Sequence, residues 1–278
     1  MKAKRSGSVP LRVLCYLLLI VLAFICIVPF YNIFINATHQ SSEITTSYQL
    51  LPGNYLAKNY ETMLTYTSVW RAFANSLFIA LCCTVLSAYF GALTAYGFAK
   101  YRFRFNRALF WVLLATMMLP AQLSLIGYFQ LVDTLKLLDN HLALIFPSIA
   151  NASAVFFIRQ FIYTAVPDSL IESARLDGCG ELRIFHRIVF PMITPAVFTQ
   201  AIFIFVTSWN NFINPLILIF SPEKLTLPVV IQQMSGSYSS NYGVIYLGVA
   251  IAVLPIIIFA AIFLKKIVGG LTVGAVKE

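Results

Sequence analysis

Between Val166 and Pro191 the chain reads VPDSLIESARLDGCGELRIFHRIVFP, a charged island between two long apolar runs. Pro167 or Asp168 suits the start of a helix, and Asp168 and Glu172 favour its positive N-terminal end. Leu170, Ile171 and Ala174 fall on one face by i, i+1, i+4 spacing. Gly178 suits a left-handed stop. The spacing therefore predicts a short amphipathic helix. Three turns are marginal in water alone, so the helix must dock on something. That surface is either the chain's own helix ends or a groove in a separate cytoplasmic protein.

The flanking runs are about Leu142–Ile162 and Ile188–Trp209, and four more lie further out: Leu11–Ile35, Ala72–Ala99, Leu109–Leu131 and Val244–Leu264. Each is long enough to cross about 30 Å of hydrocarbon, which takes about 20 residues. Leu216–Phe220 is too short to cross and reads as re-entrant or as a helix extension. Of 278 residues, 60 % are hydrophobic and 10 % charged, with mean hydropathy +0.84. A soluble domain is about 45–50 % apolar and about 25 % charged, so this chain belongs in a bilayer. The same numbers exclude a disordered chain. Five cysteines, four of them in apolar runs (Cys15, Cys26, Cys82, Cys83), exclude a disulfide scaffold. No Cys/His ligand spacing exists, so no metal site is expected.

The net charge of +9 is explained by topology. Fifteen Lys and Arg fall on one side, in the N-terminal segment (with Arg12), in the second-to-third loop, in the fourth-to-fifth loop (with Arg159) and after the sixth run, against four on the other side. The positive-inside rule then places both termini in the cytoplasm, and nucleic-acid binding loses its motive. The first run is longer than a signal-peptide core and lacks an A-x-A site, so it reads as an uncleaved helix. Few charges lie within the runs, which argues against an ion pump. Asn75, Asn151, Gln122 and Gln200 read mostly as interhelical hydrogen-bond partners, with a minority facing a polar solute as the alternative. Ser87, Gly91 and Ala95, and likewise Gly248 and Ala252, recur every four residues. Such stripes serve internal packing or contact with a second membrane subunit.

Glu172-Ser173-Ala174, three residues, Gly178, nine residues, Ile188-Val189-Phe190-Pro191 resembles the EAA loop of bacterial ABC importer permeases, E-A-A-x3-G-x9-I-x-L-P. Ser173 and Phe190 are mild departures. Tyr96-Gly97-Phe98-Ala99-Lys100-Tyr101 is similar to the family's end of the second span. Trp209-Asn210-Asn211-Phe212 and Gly270-Leu271-Thr272-Val273-Gly274-Ala275-Val276-Lys277 are similar to segments of its carbohydrate-type branch. That branch holds the second membrane subunits of maltose-type, glycerol-phosphate-type and multiple-sugar importers.

The resemblance implies an all-α membrane protein with six transmembrane helices and a cytoplasmic coupling helix between the fourth and fifth, the type I importer permease fold. It implies residues 1–71 as an N-terminal segment with the first helix and an external loop. Residues 72–278 would be the permease core, with the coupling loop at 166–191. It further implies a bacterial inner-membrane location, two ATPase subunits, a second permease, an extracytoplasmic solute-binding protein and a sugar substrate. Glu172 would make a charge-assisted contact with the ATPase. Ser173 and Ala174 would allow close packing, Gly178 would turn the chain, and Ile188 and Pro191 would anchor the return into the fifth span. Glu172 could instead pair with Arg175 at i+3.

No G-x-x-x-x-G-K-[ST] loop and no catalytic constellation occur, and His39, His141 and His186 fall in different loops. The chain is therefore expected to be non-catalytic and to bind no cofactor, with ATP and Mg on the partner ATPase. By resemblance to the maltose type, the outer segment Gln232–Tyr246 reaches toward the binding protein's sugar, with Tyr238, Asn241 and Tyr242 as contacts. The bland reading there is an interfacial aromatic belt. A polyol or glycerol phosphoester is the alternative solute. A self-contained secondary transporter is the alternative class, which would need ion-coupling groups or repeats that are not evident.

Overall fold

The computed structural model describes residues 9–66, 68–237 and 241–275. Among these the architecture is helical throughout. In chain order the α-helices are α1 (Val9–Asn36), α2 (Ser41–Thr46), α3 (Leu56–Tyr66), α4 (Val69–Lys100), α5 (Asn106–Met117), α6 (Leu125–Thr134) and α7 (Leu142–Ile145). Then follow α8 (Ala152–Ala165), α9 (Asp168–Leu176), α10 (Glu181–Ile184), α11 (Phe190–Trp209), α12 (Ile213–Leu218), α13 (Leu227–Ser237) and α14 (Tyr242–Ala275). Five described segments are long and apolar enough to cross a membrane: Arg12–Asn36, Val69–Lys100, Leu142–Ala165, Glu181–Trp209 and Tyr242–Phe259. A sixth arises if the bent pair Asn106–Met117 and Gln122–Thr134 is one span.

Three expectations about the runs need correction. The third run is not straight, because its halves meet at 92°. Pro120 sits at the break with φ −59° and ψ 127°, lacks an amide donor and disfavours helix in the residue before it. The fourth run is interrupted at Ala150–Asn151, where a 3-10 turn (Phe146–Ile149) gives way to α8. Asn151 caps that helix, its Oδ1 accepting from the Ala154 amide at 3.0 Å. It thus serves its own helix and not a neighbour. The fifth span starts earlier than Ile188, at Glu181, and passes through a π-turn at Phe185–Val189. There the Phe190 amide bonds Phe185 O, one residue further back than an α-helix allows, just before Pro191.

Arg159, expected in the following loop, lies inside α8. Its guanidinium stands 3.7 Å from the Phe110 ring centroid and 4.7 Å from that of Tyr163. Aromatic faces and a weakly hydrated cation make that placement tolerable.

The chain divides into two compact units. One comprises residues 1–67 with Ile231–Val253. There Asn59 is buried, and its amide donates to Ala37 O at 2.9 Å and His39 O at 3.0 Å. A Cβ at Gly243 would lie 2.4 Å from His39 O, so only glycine admits this approach. Gly248 packs on Ile231 and Met234, which answers the sixth-run stripe with internal packing.

The other unit comprises Ser68–Val230 and the end of α14. Its core is formed by α4, α8 and α11, with Ile158, Phe185, Val189 and Ile193 fully enclosed. The stripe on α4 also faces inward. Ser87 donates to Ser148 O, Ala95 is buried, and a Cβ at Gly91 would touch the Ala154 Cβ at 3.0 Å. Gly91→Leu should force α4 and α8 apart, at about 1–3 kcal/mol or more. The detergent-solubilised variant should melt several degrees below wild type, with Gly91→Ala between them. Equal melting temperatures would contradict this packing.

Asn75 bonds the short segment that leads into α13, not a membrane helix, donating to Glu223 O at 2.9 Å and Leu225 O at 3.0 Å. Leu216–Phe220 turns out to be the end of α12 and the start of a clasp. Asp139 accepts from the amides of Phe220 and Ser221, both at 2.9 Å, from Ser221 Oγ at 2.5 Å and from Lys224 Nζ at 2.9 Å. The Ser221 donors above all hold its carboxyl well below the usual carboxylate range.

Candidate functional site: the coupling loop

The predicted amphipathic helix is α9. Pro167, extended at φ −66° and ψ 141°, precedes it. Ile171 and Ala174 are buried at 2 % and 6 % exposure in the chain's own core, beside Ile184 and Phe185. Leu170, expected on that face, is 39 % exposed, and Leu176 is 89 % exposed. One residue is about 100° of rotation, so a narrow inner stripe turns Leu170 outward. Glu172 and Ser173 are exposed as well. One face of α9 thus docks on this chain, and the opposite face stays open. Both docking alternatives find a surface on the same helix.

The stop after α9 has the expected hand. Gly178 sits at φ +77°, with its amide on Arg175 O and the Cys179 amide on Ala174 O, each at 3.0 Å. Those two bonds form a Schellman closure and satisfy carbonyls that the helix end would orphan.

Two side-chain clusters tie α9 to the membrane helices. Lys100, at the end of α4, donates to Asp168 Oδ1 at 2.5 Å and to Val166 O at 2.7 Å. The ammonium holds the Asp168 carboxyl below its usual range. That contribution is present at neutral pH and is lost as pH falls through the lowered value. Glu181, at the start of α10, accepts from Arg175 Nε at 2.7 Å and Nη2 at 3.3 Å, Tyr101 OH at 2.5 Å and Tyr96 OH at 3.0 Å. The carboxylate in turn raises the Arg175 guanidinium, and burial and then Glu181 raise the Tyr101 phenol. Arg175 therefore pairs with Glu181 and not with Glu172. Among the described residues Glu172 has no hydrogen-bond or ion-pair partner.

Sequence reasoning missed the Glu181 hub. Tyr96, Lys100 and Tyr101 lie in a segment that carried the resemblance, but nothing in the one-dimensional pattern joins them to Glu181. His186, expected as a solvated residue, is exposed yet engaged, with Nε2 3.0 Å from Tyr89 OH and its ring stacked on that of Tyr89. Ile188 is half-buried against the core, and Pro191 is exposed in the first turn of α11. Of the outer candidates, Asn241 Oδ1 accepts from Ser41 Oγ at 3.3 Å, and Tyr242 is 41 % exposed at the start of α14. Tyr238 lies outside the described residues, as do Val276 and Lys277.

Apolar spans, a docked coupling helix and a π-turn returning the chain to the membrane define a permease of the type I importer fold. A solved structure of the same fold belongs to a bacterial ABC transporter involved in the import of the acidic polysaccharide alginate. The match has a TM-score of 0.77 and 23 % identity, over 95 % of this chain and 99 % of that one. Residues 87–272 match the model of the binding-protein-dependent transport system inner membrane component, and the chain belongs to that family. It is 34 % identical to the arabinooligosaccharides transport system permease AraQ of Bacillus subtilis (strain 168), over 96 % of each chain. It is 31 % identical to the lactose transport system permease LacG of Rhizobium radiobacter, over 94 % of this chain and 95 % of that one. The chain is accordingly a multi-pass inner-membrane permease subunit.

Proposed function

We propose that this subunit forms half of the translocation path of an ATP-driven, binding-protein-dependent importer for a sugar or oligosaccharide. The observation that carries this reading is the two-faced helix α9. Its inner face is fixed to α4 and α10, and its outer face presents Glu172, Ser173, Leu170 and Leu176 to solvent. A helix held so firmly on one side transmits displacement instead of absorbing it.

On this reading both termini are cytoplasmic. Two separate ATPase subunits hold ATP and Mg, and each permease of a pair seats its coupling helix in one of them. This chain catalyses nothing and binds no cofactor. Glu172 meets a cation on the ATPase, Ser173 lets the surfaces approach, and Ala174 acts from below by seating the helix. Gly178, Ile188 and Pro191 set the return into the membrane. An extracytoplasmic binding protein delivers the solute on the side of Asn241 and Tyr242. The names of the relatives favour a saccharide.

Pull-down from gently solubilised membranes tests the assembly. An ATPase and a second permease should co-purify, and recovery of a stable complex without any ATPase would defeat the proposal. Glu172→Lys should lower the amount of bound ATPase several-fold, more so at low salt, because a like-charge contact is screened as salt rises. Wild-type recovery of the ATPase at every salt concentration would remove Glu172 from the contact.

A further inference from the structure

One arginine sits inside a span without an anion. Arg159 lies in α8, six residues before its end at Ala165, or about 9 Å along the axis at about 1.5 Å per residue. That end stands at the membrane surface, because the next carbonyl, Val166 O, takes Lys100 Nζ, and Lys100 also holds the exposed Asp168. The polar interface is about 5–7 Å deep on each side of the hydrocarbon. Phe156, Arg159 and Tyr163 follow i, i+3, i+7 and form one stripe of α8. The stripe faces α5, where Phe156 stacks on Phe110 at 6.4 Å and the Arg159 guanidinium rests on the rings of Phe110 and Tyr163. Tyr163 is one turn nearer the surface, so the arginine side chain leans toward the headgroups.

The two rings ease the charge but leave its hydrogen bonds unmade. A guanidinium carries five N–H donors in its own plane, and a ring face meets the cation from above that plane. Arg159 Nε is buried without a hydrogen-bond partner, and no described residue forms an ion pair with this side chain. Buried charged donors are ordinarily satisfied. Tyr163, 49 % exposed, brings a hydroxyl on the ring that touches the guanidinium. On α5, Arg107 lies one turn before Phe110, toward the same surface, and Arg104 lies just ahead of the helix. Both are exposed cations with no ion pair among the described residues. Neither α5 nor α8 carries an Asp or Glu. The outward face of α5 is apolar and exposed at Leu109, Trp111 and Val112.

We infer that Arg159, with Tyr163 and Arg107, holds the phosphate of an anionic phospholipid whose acyl chains lie along the exposed face of α5. The guanidinium fork matches two phosphate oxygens, Nε taking one and Nη the other. Basic pockets between membrane helices suit such headgroups, and a row of cations at the surface draws anionic lipid. A single carboxylate from a second subunit would answer Arg159 alone. A lipid answers the cation row and the apolar face together. The leaflet is cytoplasmic on the orientation proposed above, while the binding itself rests neither on that orientation nor on the importer reading.

The test uses the full chain, with whatever partners co-purify, in a neutral detergent, and reads its melting temperature as lipid is added. The probes are short-chain phosphatidylglycerol, short-chain phosphatidylcholine and inorganic phosphate. Phosphatidylglycerol should raise the melting temperature by several degrees and saturate, and the other two should not. Arg159→Gln should weaken the apparent affinity for phosphatidylglycerol about tenfold, as loss of one charge-assisted pair does. Arg159→Lys should recover part of it, since it keeps the charge without the fork. Should Arg159→Gln fail to fold, Arg107→Gln, at an exposed position, should still weaken binding severalfold. Arg183→Gln, at an exposed cation of α10, should bind as wild type does. An equal response to phosphatidylcholine, or wild-type affinity in the Arg159 and Arg107 variants, would overturn the site. Equal weakening by Arg183→Gln would reduce the effect to bulk charge and overturn it too. A full shift with inorganic phosphate would overturn the lipid as the ligand. Unchanged lipid binding by Arg159→Gln together with loss of a co-purifying second permease would put a partner's carboxylate in its place. The readout needs no ATPase, so its failure is distinct from a failure of the importer reading.

Discussion

Gly178→Pro should leave the chain in the membrane and strip it of its ATPase. The position sits at φ +77°, and its amide donates to Arg175 O. A proline ring holds φ near about −65° and has no amide hydrogen, so both features are lost together. The chain leaving α9 must then take another path, and the open face bearing Glu172 and Ser173 turns with it. ATPase recovered with the variant should fall at least tenfold, and solute uptake should vanish. Gly178→Ala asks less. A Cβ there meets nothing within 4 Å, so only the left-handed backbone is penalised, by about 1–2 kcal/mol. That variant should retain most of its ATPase and part of its uptake. If the proline variant binds ATPase and transports normally, the left-handed stop has no part in coupling.

Glu181→Ala should lower solute uptake far more than ATP hydrolysis by the assembled complex. The carboxylate is the shared acceptor for Arg175 on α9, Tyr101 beyond α4 and Tyr96 within it. Removing it leaves three donors without that partner and unfastens α9 from the second span. The side chain is 41 % exposed, so solvent recovers part of the loss and the fold should survive. What fails is stiffness. ATPase closure would move α9 without moving α4, and the ratio of solute imported to ATP hydrolysed should drop about tenfold, the effect of roughly one or two net hydrogen bonds. Tyr101→Phe and Tyr96→Phe each remove one donor and should give smaller, graded drops. A normal ratio in Glu181→Ala would assign this hub to folding alone.

The spans, the coupling helix and its glycine stop were legible because each rests on a local pattern. A run of apolar residues, an i, i+1, i+4 stripe and a glycine after a helix need no distant partner to be recognised. The bend at Pro120 was half legible: the proline is visible in the sequence, but kinked and straight spans have the same composition. Arg159 was misplaced because a charge near the end of an apolar run reads as loop unless the aromatic rings that receive it are known. The Glu181 hub was hidden for the same reason. Its members are about 80 residues apart in the chain, and only the packing of α4 beside α10 makes them neighbours.

The π-turn at Phe185–Val189 has a consequence for how such a chain can change. One residue in a helix corresponds to an azimuth on the order of 100°. The widened turn lies between the coupling helix and the body of α11, so it sets the phase of one end of a rod against the other. Deleting a single uncharged residue there would keep every span, every apolar run and the net charge. It would also swing the buried rings of Phe205 and Trp209 out of the core by roughly a quarter of a revolution. Insertions and deletions tolerated in the outer loops should therefore be forbidden between Glu181 and Trp209, where length acts as an angle.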